Sequence, residues 1–340
     1  MRFAEGMGIE RFEAGDGKRA GACYEIFRAT RLADDPDVPL MPPLVFEGWL
    51  RSGWIGDPRE TWLIEDGDGI GGWYLLELPA RDNPHLAYLD MAVRPERQRH
   101  GLGTALLRHA AGRALADGRR LLSGYALAGS PGEAFAQASG VSWGQQEIRR
   151  AMDTGALPAS RLAELRDGAE AASAGYSLVS WGDAAPEEYV DQVAAVNRML
   201  YDAPHEASLE EPVWDAARVR ATEQRMRLQG MRGYTVLARH DASGELGGMT
   251  QVELNSEHPD WAIQALTAVT REHRGHRLGL RLKVGMLDLL ADREPLVKHI
   301  LTSNAAANEH MIGINEMLGY RPVGPVVQSW ELPADQVPQS

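Results

Sequence analysis

The sequence predicts an α/β chain that carries one domain twice. A thirteen-residue pattern makes the case first: Met91-Ala92-Val93-Arg94-Pro95-Glu96-Arg97-Gln98-Arg99-His100-Gly101-Leu102-Gly103 returns as Thr267-Ala268-Val269-Thr270-Arg271-Glu272-His273-Arg274-Gly275-His276-Arg277-Leu278-Gly279, with Ala, Val, Glu, His, Leu and the final Gly identical. An upstream block, GGWYLLEL at 71–78, lines up with GGMTQVEL at 247–254, and both blocks share an offset of 176 residues. Strand and helix patterns also follow in the same order around each copy.

In the first half, residues 21–33 read as a helix, 34–43 as a proline-broken stretch, and 44–53 as a second helix. Residues 61–65 and 70–78 read as strands joined by the turn Asp66-Gly67-Asp68-Gly69. A third strand covers 85–93. Residues 103–116 form an amphipathic helix with Leu106, Leu107, Ala110 and Leu115 on one face. A strand at 121–127 and a short helix at 131–139 follow. The second half repeats this with helices at 186–201 and 213–229, separated by the break Ala203-Pro204-His205. Strands at 234–238, 246–255 and 261–269, a helix at 278–291, a strand at 298–303 and a helix at 308–318 complete it. Residues 154–173, rich in Ala, Arg and Glu, read as a short helix acting as a spacer. The expected division is 1–153 and 174–340, with 154–173 between.

The 340 residues are enough for two cores, and 44% hydrophobic with 24% charged residues suits a soluble globular chain. The net charge of −13 argues against nucleic acid and favours a cationic partner such as an amine. A single cysteine, Cys23, permits no internal disulfide, which fits the cytoplasm; placed in a helix, it reads as a buried, inert thiol. The first residues show no apolar leader, and no apolar run reaches membrane-spanning length. No metal site is expected.

A strand running into a glycine-containing turn and then a helix offers backbone N–H groups and a helix dipole to an anion. There is no Gly-x-x-x-x-Gly-Lys-Ser/Thr segment, and the turn follows several strands rather than opening a first βαβ unit. This excludes a P-loop and argues against a dinucleotide fold.

The pattern Val93-x-Pro95-x-x-Gln98-x-x-Gly101-Leu102-Gly103-x-x-Leu106-Leu107 resembles the pyrophosphate-binding motif of the GNAT superfamily, the CoA-dependent N-acyltransferases. The resemblance implies a mixed, mostly antiparallel sheet in each half, with a splayed central pair and flanking helices. Acetyl-CoA would lie in the splay, its thioester carbonyl held by amides of the fourth strand. It also implies cofactor contacts from Met91, Ala92, Val93, Gln98, Arg99, His100, Gly101, Leu102, Gly103 and Thr104. A second set would be Ala268, Val269, Arg274, Gly275, Arg277, Leu278, Gly279, Asn304 and Asn308. Arg277 stands where the motif has glycine. Asn308, in Thr302-Ser303-Asn304-Ala305-Ala306-Ala307-Asn308, matches the family's pantetheine-binding Asn, and Leu318-Gly319-Tyr320 its Leu-Gly-aromatic end. The family's usual acid, a Tyr, is replaced by Ala136 and Asn315, with Tyr320 as a substitute. Direct transfer needs a base to take the ammonium proton, and Glu77, Asp90 and Glu253 on central strands are the candidates. The expected reaction moves an acetyl group from acetyl-CoA to a primary amine of a small molecule; the alternative is a non-catalytic acyl-CoA-binding or scaffold protein. The chain is expected to be a monomer that mimics a dimer, or a homodimer. The halves also resemble tandem family members in which one half works and the other binds CoA or supports the fold.

Overall fold

A computed structural model describes residues 8–52, 57–202 and 204–337. The expected end of the second helix at residue 53, Ala203 of the break and the first seven residues lie outside them. In chain order the elements are β1 (Gly8–Phe12), α1 (Gly17–Asp34), α2 (Pro43–Ser52), β2 (Arg59–Glu65), β3 (Ile70–Glu77), β4 (Leu86–Val93), α3 (Leu102–Ala116), β5 (Leu121–Leu127), α4 (Pro131–Ala138), β6 (Ser142–Asp153) and α5 (Ala159–Ala172). They continue with β7 (Tyr176–Gly182), α6 (Val190–Arg198), α7 (Ala216–Leu228), β8 (Met231–His240), β9 (Leu246–Asn255), β10 (Trp261–Val269), α8 (Leu278–Arg293), β11 (His299–Ala305), α9 (Glu309–Met317), β12 (Arg321–Pro322) and β13 (Val327–Pro333). Among the described residues, no helix is long and apolar enough to cross a membrane.

Local chemistry sets the helix starts. Asp16, Ser130, Asp215 and Asn308 cap α1, α4, α7 and α9, each side chain accepting a backbone N–H three residues on. The starts of α3 and α8 lack any side-chain cap. On α3 the buried stripe is Leu102, Leu106, Ala110 and Ala114, spaced by four. Leu115, expected on that face, lies one step past it and is 44% exposed.

The chain forms two compact units whose borders are not those of the repeat. The first takes the described residues of Met1–Gln146, Glu206–Glu210 and Gly324–Ser340; the second takes Glu147–His205 and Glu211–Val323. In the first unit the strand order is β1-β2-β3-β4-β5-β13, and in the second it is β7-β8-β9-β10-β11-β6, with β12 also paired to β6. Among the described residues of each unit, only β4–β5 and β10–β11 pair in parallel. The last strand of the first unit therefore comes from the end of the chain, and that of the second from residues 147–153. The short helix of the 154–173 segment is α5, but it is no free spacer: Leu165 and Ala169 join the second unit's core, while Arg166 pairs with Asp288 and Arg281 with Glu170.

Each sheet has two covered faces. In the first unit, α3 packs over Tyr74, Leu76, Ala87 and Leu89, and α1 and α2 pack over Leu63, Trp73 and Leu75. In the second, α8 lies over Val252, Leu254 and Ala262, and α6 and α7 over Met249 and Leu266. Cys23 is fully buried in α1, and burial pushes its thiol up to about 12, so it is inert.

The repeated Gly-Gly pair has a packing cause. A Cβ on Gly72 would meet the Ala92 carbonyl at 2.9 Å and Leu106 at 3.1 Å; on Gly248 it would meet the Ala268 carbonyl at 2.7 Å and Leu282 at 3.2 Å. A Cβ on Gly71 or Gly247 would strike Leu102 or Leu278, the first residue of the helix that follows the turn. The glycines let that helix and the fourth strand close on β3 and β9. Gly72→Ala and Gly248→Ala should each cost about 1–3 kcal/mol in denaturant unfolding. Gly112→Ala, in open space on α3, should stabilise by about 0.5–1 kcal/mol.

Candidate functional site: two anion turns and two sheet splays

The two turns match bond for bond. Arg94 N donates to Gly71 O and Thr270 N to Gly247 O; Arg97 N donates to Arg94 O and His273 N to Thr270 O. Gln98 N reaches Pro95 O, and Arg274 N reaches Arg271 O. The next internal backbone bonds are Ala105 N to Gly101 O and Arg281 N to Arg277 O. Between them the amides of 99–104 and of 275–280 have no backbone partner among the described residues. Six consecutive free donors at the positive end of a helix make an anion cradle.

Each cradle needs two left-handed residues, and the halves supply them in mirrored order. Arg99 (φ 66°) and Gly101 (φ 86°) do so in the first; Gly275 (φ 89°) and Arg277 (φ 54°) do so in the second. Arg277 thus replaces a glycine without changing the backbone, and Arg99 bears the same strain in the other copy. The Arg277 side chain leaves the turn and ends 3.6 Å from the Cβ position of Gly168 on α5. Gln98 Nε2 and Arg274 Nε each bond the carbonyl that ends the preceding strand, Val93 O and Val269 O, at 3.4 Å. These two side chains brace the turn from within. His100 is exposed, its Nδ1 2.8 Å from Gln98 O. Leu102 and Leu278 are buried anchors, Thr104 is exposed, and Gly103 and Gly279 give room to Phe135 and Ile314. Met91 and Val93 pack under α3, while Ala92 packs on the opposite face.

Below each turn the parallel strands part. β4 and β5 pair only from Leu86↔Leu121 to Tyr88↔Ser123, and β10 and β11 only from Trp261↔His299 to Gln264↔Thr302. The next five residues, 89–93 and 265–269, run on with no partner across the gap. In the second unit the β9–β10 register shifts between Gln264 and Leu266, a bulge that leaves Ala265 unpaired; in the first the β3–β4 register is regular.

The carboxylates divide clearly. Glu77 is tied by the buried Arg59, which also bonds Trp49 O. Asp90 shares the face of Leu75; burial raises its pKa and the Arg31 charge opposes this. That face is filled by aromatic rings, with Trp73 at 5.5 Å from Phe46 and 6.1 Å from Trp49. Glu253 lies on β9 and lines a cavity of about 70 Å³ with Trp181, Asn197, Trp214, Glu223 and Gln251. Burial raises the Glu253 pKa, opposed by the Arg225 charge. Tyr320 is 2% exposed, and burial pushes its hydroxyl far above the usual range. Asn308 serves as a helix cap through its Oδ1. Asn315 is fully buried and donates to Asn304 Oδ1 at 2.7 Å, while its own Oδ1 has no hydrogen-bond partner.

The sequence reading passed over Lys283. It is 3% exposed on α8, its Nζ 3.2 Å from Gln264 Oε1 and 5.2 Å from the Tyr320 ring centre. The repeat register held a signal for it, since the equivalent position in the first copy is Leu107, buried in the core. Among the described residues, no group of three or more His, Cys, Asp or Glu side chains is placed to hold a metal.

A sequence model of the Acetyltransferase (GNAT) family matches residues 21–125. No curated protein matches the sequence. Among solved structures, the fold is similar to a tandem GNAT protein from the clavulanic acid biosynthesis pathway, solved without AcCoA; identity is 29% over 96% of this chain and 98% of that one, with a TM-score of 0.81. A GCN5-related N-acetyltransferase from Sphaerobacter thermophilus shares the fold at 16% identity and TM-score 0.66, covering 96% of each chain. A putative acetyltransferase from Pyrococcus horikoshii does so at 13% identity and TM-score 0.54, covering 98% of this chain and 91% of its own. Residues 21–125 thus match the GNAT family by sequence, and the chain as a whole, with its two matched cradles and two splays, is similar to a tandem GNAT protein over nearly its full length.

Proposed function

We propose that the chain is an N-acyltransferase that moves an acyl group from acyl-CoA to a primary amine, with the transfer step in the second unit and Glu253 as base. The observation that carries this reading is the cavity on β9. It holds a half-buried carboxylate on the sheet face opposite α8, beside the strand whose bulge leaves Ala265 unpaired. An amine entering there meets a group able to take its proton, and the backbone N–H of the unpaired Ala265 is the candidate donor to an oxyanion. The indole faces of Trp181 and Trp214 and the carboxylates of Glu223 and Glu253 suit a cationic acceptor.

The diphosphate of CoA fits both turns. Each offers six free amides, and a Cβ on Gly101 or Gly275 would meet nothing within 4 Å. The first unit has the cradle but a regular β4 and an aromatic-filled acceptor face, which favours acetyl-CoA binding there without turnover. Glu77, locked by Arg59, takes no proton in this scheme.

The test is thiol release from acetyl-CoA with a panel of primary amines. Turnover should persist in Asp90→Asn and fall in Glu253→Gln. Release by Glu253→Gln but not by Asp90→Asn would move the reaction to the first unit. CoA binding with no release for any amine would leave a binding or scaffold protein.

A further inference from the structure

The two units treat one strand position differently. In the first, Glu77 of β3 has Arg59 as its partner across β2, and the guanidinium pairs with the carboxylate. In the second, Glu253 of β9 has Gly233 as its partner across β8. Gly233 carries no side chain, so the place that Arg59 fills is open; a Cβ there would meet the flexible end of Met226 at 3.3 Å. One strand further on, Asp183 follows the Gly182↔Tyr234 pair of β7 and β8. Asp183 N donates to Gly233 O at 2.7 Å, and Gly233 N donates to Asp183 Oδ1 at 3.2 Å. Asp183, Gly233 and Glu253 thus form one row across three strands, with two carboxylate residues about 10 Å apart and bare backbone between them.

This row lines the β9 cavity, with Asp183 exposed at its rim and Glu253 half-buried. A volume of about 70 Å³ leaves room for roughly five water-sized groups, which suits a short unbranched chain. Among the described residues, no Lys, Arg or His lines it. The side-chain donors of Asn197, Thr222, Tyr234 and Gln251 are spent inside the protein, on Val193 O, Arg218 O, Glu294 Oε1 and Thr235 Oγ1. Glu223 is engaged by Ala185 N and Arg220. Arg225, whose charge acts on Glu253, bonds Gln229 and does not line the cavity. Apart from the indole N–H groups of Trp181 and Trp214, the side chains there offer a ligand acceptors: the amide oxygens of Asn197 and Gln251 and the carboxylates of Asp183 and Glu253. Such a lining suits a ligand that only donates, and a positive charge at each end.

Resting on the reading of this cavity as the acceptor site, we propose that the acceptor is a short unbranched aliphatic diamine, its reacting nitrogen at Glu253 and its second ammonium at Asp183, with its chain over Gly233. The reacting nitrogen gives its ammonium proton to Glu253 and forms the C–N bond to the acyl carbon as the thioester C–S bond breaks. Its second proton goes to the departing thiolate, and the far ammonium stays charged. Asp183 sets specificity and takes no part in bond making.

1,4-Diaminobutane, butylamine and 4-aminobutanoate share a four-carbon chain and differ at the far end. Each is offered as acceptor with acetyl-CoA, and each is titrated calorimetrically into the full chain saturated with CoA. Both kcat/KM and affinity should fall in that order, the diamine leading butylamine by about five-fold, and by more at low salt. Asp183→Asn keeps the left-handed backbone (φ 58°) and an acceptor for Gly233 N, and should remove the diamine's lead through KM rather than kcat. Equal use of diamine and butylamine by the wild type, or a lead unchanged in Asp183→Asn, would overturn the diamine selectivity and leave the acceptor reading standing. Asp183-dependent diamine binding with no thiol released by any amine would support the diamine site and overturn the transfer reading. Neither binding nor turnover of any of the three would overturn both.

Discussion

Deletion of residues 324–340 should unfold the first unit, although that segment follows the second repeat in the chain. β13 pairs with β5 along seven residues, from Val327↔Leu127 to Pro333↔Leu121. Its Trp330 and Leu332, with Ala334 and Val337 beyond it, sit in the same core as α3 and the fourth strand. Ala334 N also bonds Arg120 O, closing the sheet below β5. Emptying a Trp site costs about 3–5 kcal/mol and a Leu site about 2–5 kcal/mol. Together with the lost ladder, this matches the whole stability of an ordinary domain, about 5–15 kcal/mol. Hydrogen exchange by mass spectrometry should show lost protection across β1 to β5 and retained protection in α8 and β8 to β10. Loss confined to the second unit would contradict the assignment of the terminal strand.

Glu253→Gln should lower kcat for amine acylation by about 10²–10⁴-fold while leaving the affinity for acetyl-CoA unchanged, because it removes a proton acceptor and no cradle donor. The wild-type rate should rise with pH through an inflection above the ordinary glutamate range, since burial raises the pKa and the ionised form is the base. The stability effect has the opposite sense. A carboxyl with a raised native pKa holds its proton more tightly when folded, so its contribution is full below the unfolded pKa and is lost as pH rises through the native value. At neutral pH the half-buried, partly desolvated carboxylate is a burden, and Glu253→Gln should be neutral or stabilising in denaturant melts. A variant both inactive and unstable at neutral pH would make Glu253 a structural group.

Much of this was legible in the sequence because it is local. The turn needs a strand end, two left-handed residues and an uncapped helix start, and all are written within thirteen residues. The Gly-Gly blocks mark where a helix and two backbones close, and one offset ties both copies together. The strand partners were not legible. Repeat register records which segments are alike, whereas the pairing of β13 with β5 and of residues 147–153 with β11 is set by contacts far apart in sequence. The spacer reading failed for the same reason, since α5 reveals its partner only when Leu165 and Ala169 meet α8. Spacing alone matched Tyr320 and Asn308 to family positions; the burial of Tyr320 and the cap made by Asn308 depend on their three-dimensional neighbours. Lys283 was hidden by treating α8 as a copy of α3, although a lysine opposite Leu107 was visible once the register was known.

The most direct test is calorimetric titration of acetyl-CoA into the full chain carrying Gly101→Asp or Gly101→Asn. Both residues tolerate a left-handed backbone, and open space surrounds the position, so the pair differs mainly by one charge beside the cradle. The wild type and the Asn variant should bind two equivalents. The Asp variant should lose about ten-fold in affinity at one site through repulsion of the diphosphate, more at low salt. An Asp variant that binds as the wild type does, or a wild type that binds no acetyl-CoA, would contradict cofactor binding at both turns.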